Sequence, residues 1–145
     1  MMPRFVCAVC LLALAQMVSV RAEEVSGPSK MVQEMEEVGG AYKFLRRALR
    51  YQEVDFAATL GWCQDGLKYS KNCVDLVPAM VAAMPEGEVK AAALASYRKQ
   101  MEELLAIWEK AILASQNEDR AALEALVTQL GQSRKTGHQE FIPGE

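Results

Sequence analysis

Apolar residues recur through most of the chain at alternating spacings of four and three, the period of a helix that buries one face. Over about residues 28–50 the line is Met31, Met35, Val38, Tyr42, Leu45 and Leu49. Over about 55–77 it is Phe56, Leu60, Cys63, Leu67, Ser70, Val74 and Val77. Over about 88–115 it is Leu94, Tyr97, Met101, Leu104, Trp108 and Ala111, with Glu102, Glu103, Glu109 and Lys110 on the other side. Over about 118–140 it includes Leu123, Leu126, Leu130, Arg134, His138 and, just beyond, Phe141. The segment ends carry matching chemistry. Ser26 or Ser29 is placed to cap the first segment and Asn117 the fourth, where Glu118 and Asp119 suit the acid-favouring first turn. Arg46, Arg47 and Arg50 crowd the end of the first, where the helix dipole favours cations. Pro78 can end the second, and residues 79–87 read as a connection. Gly39-Gly40 costs the first segment about 1 kcal/mol per glycine relative to alanine. Such a pair survives more readily where something bulky approaches the backbone. Amphipathic helices of this kind are stable only when their stripes cover one another. The pattern predicts an all-α protein, an antiparallel up-down-up-down four-helix bundle.

The first residues do not share this pattern. Residues 5–20 are an apolar run of 16 after one positive charge, and Val20-Arg21-Ala22 follows with small residues at −3 and −1. That is the layout of a secretory signal peptide cleaved after Ala22. The run is shorter than the roughly 20 residues a spanning helix needs. Ala8-Val9 before Cys10 does not resemble a lipoprotein box. The expected organisation is a signal peptide at 1–22 and a bundle at 23–145. The product would be exported, to the periplasm in a Gram-negative cell, with no membrane attachment after cleavage.

The 145 residues are 51% hydrophobic and 24% charged, which suits one globular domain. Cleavage removes Arg4 and Arg21 and no acid, taking the net charge from −3 to −5. That leaves no basic footprint for nucleic acid. Cys63 and Cys73 remain, and an exported protein with two cysteines usually pairs them. Ten residues of continuous helix rise about 15 Å, whereas a disulfide needs Cα atoms within roughly 7 Å. Either α-helix runs through both cysteines, or it breaks at Gly66 or near 70–72 and a bridge forms. No nucleophile–base pair and no glycine-rich phosphate loop is present. Glu36-Glu37 and Glu102-Glu103 diverge on their helices as solvated faces. The chain is not read as an enzyme.

The candidate chemistry lies in a single histidine. Counting back by fours from His138 gives Arg134, Leu130 and Leu126, so His138 shares a face with core leucines. In an antiparallel bundle the start of the first helix is level with the end of the last, so Met35 and His138 can face each other. Thioether and imidazole together are an axial pair for haem iron. Met31, one turn earlier, competes with Met35. Core filling by Met35 and a plain helix-end role for His138 are the blander readings.

At these residues the chain resembles the cytochrome b562 family. Leu130, Arg134, His138 and Gln139 follow its L-x-x-x-R-x-x-x-H-Q pattern. Met35, Val38 and Tyr42 follow M-x-x-L-x-x-x-L, and Tyr97, Arg98 and Met101 follow F-R-x-x-F. From Tyr97 to His138 the patterns run together without a gap. Residues 35–43 are also similar to the opening of the related cytochromes c′. The C-x-x-C-H of that branch corresponds to Arg134, Lys135, Thr136, Gly137 and His138, so both cysteines for thioether attachment are absent. The resemblance implies non-covalent haem b, with His138 as proximal and Met35 as sixth ligand. It implies that Tyr42, Tyr97 and Met101 line the ring faces and that Arg134 pairs with a propionate. Two protein ligands leave no open position on the iron, so the implied activity is outer-sphere electron transfer to a redox partner protein. The net acidity suggests a partner with a basic docking patch. The chain would act as a monomer or dimer. The rival readings are a haem-free exported bundle acting as a binding module, a soft-metal site in which Met31, Met35 and His138 hold Cu(I), and a five-coordinate haem that binds a small gas if Met35 is displaced.

Overall fold

Three of the four long helices open on a capping side chain that satisfies one of their free N–H groups. Ser29 accepts the Val32 N–H at 3.3 Å and opens α1 (Lys30–Ala48). Asp55 accepts the Ala58 N–H at 2.9 Å and opens α2 (Phe56–Cys73). A one-turn helix α3 (Ala79–Ala82) and the long α4 (Glu88–Gln116) follow. Asp119 accepts the Ala122 N–H at 2.9 Å and opens α5 (Arg120–Phe141). The structure, a computed structural model, describes residues 29–142. The expected signal peptide at 1–22, and with it the expected export, lies outside the described residues. Among the described residues all regular structure is helical, and no helix is long and apolar enough to cross a membrane.

Three sequence expectations change. α2 ends at Cys73 rather than at Val77, and Pro78 stands at the head of α3 inside the stretch read as a plain connection. Asp119 caps α5, whereas Asn117 closes α4 by donating its N–H to Leu113 O at 3.0 Å. The turn between them is so short that Glu118 takes φ 54°, the left-handed region. Gly39 and Gly40 have nothing within 4 Å of an added Cβ, so no other part of the described chain makes the close approach expected there.

α1 packs on α2, α2 on α4 and α4 on α5, while α1 touches α5 only lightly. Along α1 and α2 the contacts run in opposite order: Glu34 meets Asn72, and Phe44 stacks on Trp62. Along α2 and α4, Cys63 meets Ser115, Gly66 meets Trp108, and Cys73 meets Tyr97. The main core gathers Leu45, Leu49, Cys63, Trp108, Leu123 and Leu130 with their neighbours. Each large side chain taken fully out of water contributes about 1.5–3 kcal/mol. Trp108 reaches full burial because Gly66 lacks a side chain; a Cβ there would sit 2.6 Å from the indole.

Cys63 and Cys73 are free thiols, both fully buried, on one unbroken helix. The continuous-helix reading therefore holds. Cys63 Sγ lies 3.7 Å from Ser115 Oγ. Burial raises the pKa of both thiols, that of Cys73 to about 11 from 9.0, with the Glu34 carboxylate adding to the rise. Between those two values the unfolded chain has released the Cys73 proton while the folded chain still holds it, so stability falls as pH rises through the window. Denaturant midpoints are expected to drop from pH 9 to pH 11, less so in Cys73→Ser measured against its own pH 8 value. A thiol reagent at pH 8 should label neither cysteine until the protein unfolds.

Candidate functional site

The core lines of α1 and α5 open at the same end of the molecule. On α5, Leu126 and Leu130 are buried, but one turn on Arg134 is exposed and His138 is half-buried. On α1, Leu45, Ala41 and Val38 are buried, but Met35 and Met31 are half-buried. Arg134 follows Leu130 by four residues and would be core if α1 still covered that line.

Polar ties explain where the helices part. At the far end the Arg120 guanidinium donates to Leu49 O at 2.8 Å and to Tyr51 O and Gln52 O at 3.0 Å, clamping α5 to the end of α1. Midway, the Tyr42 hydroxyl crosses to α5 at Gly131, where an added Cβ would meet it at 2.9 Å. At the open end each wall is fastened to its other neighbour. Asn72 of α2 donates to Glu34 at 2.9 Å, and Ser96 and Gln100 of α4 donate to Glu140.

The Tyr42–Gly131 contact also sets the register. Met35 lies seven residues before Tyr42 and His138 seven after Gly131. Seven residues are close to two whole turns, about 10 Å along the axis on nearly the same face. Met35 and His138 are therefore level with each other on the two sides of the light α1–α5 seam.

Behind the seam lies a second core cluster of Cys73, Tyr97 and Met101, with Met31, Met35, Leu94, Leu104 and Phe141 packed on it. Tyr97 is held by donating its hydroxyl to Cys73 O at 2.7 Å, and Phe141 meets its ring edge-on at 5.4 Å. Burial, aided by the nearby Cys73 thiol, raises the pKa of that phenol. Its proton is committed, so Tyr97 offers the seam a ring rather than a donor. Met35, Tyr97 and Met101 thus come together in one cluster. Tyr42 does not join them: it packs with the main core, two turns away, because α5 has a glycine there to receive it. Arg134 stands exposed at the mouth.

Sequence reasoning missed Cys73 as part of this floor, Gly131 as the docking point for Tyr42, and Arg120 as the clamp. Gly131, one residue past Leu130 in a leucine-rich helix, was the legible signal among them. Among the described residues no three His, Cys, Asp or Glu side chains converge to hold a metal ion. A shallow groove of about 460 Å³ lies elsewhere, between Phe44, Tyr51 and Trp62. Comparison of the chain with family models, with curated proteins and with solved structures finds no match.

Proposed function

We propose that the four long helices form an antiparallel up-down-up-down bundle that binds one haem b non-covalently and carries electrons after export. The opposite order of contacts along α1–α2 and α2–α4, and the Arg120 and Tyr42–Gly131 ties along α1–α5, support the bundle. The observation that carries the cofactor reading is the level placement of Met35 and His138 on the two sides of a seam that opens at their end. The donor chemistry fits. The chain offers a thioether and an imidazole, and a porphyrin brings its own four nitrogens. Bound haem b supplies an iron that cycles between ferric and ferrous. Tyr97 and Met101 would give the ring an apolar floor, and exposed Arg134 would hold a propionate by a charge-assisted bond. Met35 and His138 would hold the iron, and the bound group would supply outer-sphere electron transfer without a substrate at the metal.

A second reading is favoured by one observation. Tyr97 and Met101 are only 4% and 3% exposed, and Met31, Met35, Met101 and Cys73 put four sulfur atoms into one cluster. A haem-free bundle holding a soft cation such as Cu(I) would use those donors. Absorbance separates the two. Haem added to the chain should give a sharp Soret band with split α and β bands on reduction. Absence of a Soret band leaves the haem-free reading, and Cu(I) titration then tests the sulfur cluster. Met35→Ala should turn the ferric spectrum from low to high spin, and an unchanged spectrum would remove Met35 from the site.

A further inference from the structure

The charge of the whole chain and the charge around the seam have opposite signs. The chain is acidic, yet exposed Lys43 and Arg46 of α1, Arg50 just past its end and Lys135 of α5 lie on the side of the seam. The Arg46 guanidinium lies 5.8 Å over the Tyr42 ring, whose hydroxyl reaches Gly131, so this cation sits at the α1–α5 boundary. Lys43 is three residues before Arg46, one turn away on the helix, and Arg50 follows two residues past the helix end. Lys135 is one turn past Gly131 toward His138.

Two acids of the same two helices face other elements: Glu34 accepts from Asn72 of α2, and Glu140 accepts from Ser96 and Gln100 of α4. Glu124 lies at the α1–α5 boundary and is paired with Arg120 at 2.8 Å. Glu37 lies seven residues before Phe44, which stacks on Trp62, so it belongs to the α2 side. Of the acids of α1 and α5, Glu36 and the Arg120-paired Glu124 stand on the side of the basic group.

We propose that this α1–α5 face docks an acidic patch of a protein partner. The inference rests on the haem reading for its purpose, since the face surrounds the edge through which electrons would leave, but its charge stands independently of any cofactor. It reverses the partner chemistry suggested by net charge. Long-range attraction is set by the field at the docking face, and a dipolar molecule turns that face toward its partner during encounter.

The test uses a fluorescein-labelled poly-L-glutamate peptide as the acidic probe and follows its anisotropy as the chain is added at low salt. Lys43→Glu/Arg46→Glu/Lys135→Glu should weaken binding about tenfold, and the wild-type affinity should fall steeply with added salt. Lys71→Glu/Lys99→Glu/Lys110→Glu makes the same change of net charge on α2 and α4 and should weaken it far less. Equal loss in both variants, or no binding by the wild type at low salt, would overturn the proposal. When haem binds, a second arm applies. Oxidation by ferricyanide, an anion, should slow in the first variant, whereas reduction by hexaammineruthenium, a cation, should not. Failure of haem to bind removes the electron-carrier reading while the peptide measurement still decides the docking face.

Discussion

Gly66→Ala is expected to destabilise the protein by about 3 kcal/mol, lowering the thermal midpoint by roughly 10 °C. The added methyl would lie 2.6–2.7 Å from three ring carbons of Trp108. Trp108 is fully buried in the main core, with Leu45, Cys63 and Leu123 packed in the same cluster, so the ring cannot step aside without opening space elsewhere. Its Nε1–H already lacks a partner among the described residues, which leaves no hydrogen bond to trade for a new position. Gly40→Ala is the control. Nothing lies within 4 Å of its added methyl, so helix propensity acts alone and stabilises by about 0.5–1 kcal/mol. The same chemical change should thus move the midpoint down on α2 and up on α1. Thermal unfolding followed by circular dichroism reads both; a neutral Gly66→Ala would mean that α2 and α4 are not in close contact there.

If the proposed haem binds, His138→Ala is expected to weaken its binding by at least about 100-fold, which is about 2.7 kcal/mol, without unfolding the protein. The imidazole is half-buried on a stretch of α5 that α1 does not cover, and it lies outside both core clusters. Its removal should leave the midpoint of the haem-free chain within about 0.5 kcal/mol of wild type. Haem titration followed at the Soret band measures the affinity, and free imidazole added to the variant should restore part of the low-spin spectrum. Retained tight binding would remove His138 from the ligand set. A collapse of the haem-free fold would instead assign it to packing.

Helix content was readable from the chain because heptad spacing and capping chemistry act locally. Leu45, Leu123, Leu126 and Leu130 are buried as their lines demand, and α4 and α5 begin within two residues of the expected points. Met35, Tyr97 and Met101, read as an iron ligand and two ring-lining residues, share one packed cluster. What failed depended on geometry that no spacing encodes. Tyr42 sits on the same stripe as Met35, but its destination is decided by Gly131 on another helix. Arg120 looks like a surface residue at a helix start, and only the fold brings three carbonyls of another segment to its guanidinium. The sign of charge beside the seam was hidden because net charge sums over faces that no partner sees together.

The Arg120 clamp gives the α1–α5 pair the mechanics of a clothes peg. The pair is jointed at the Leu49 end, whereas at Met35 and His138 each arm is tied to a different neighbour, α1 to α2 and α5 to α4. Spreading the arms there would have to carry those neighbours along or break their bonds, while Trp108 and the leucines around it keep their packing.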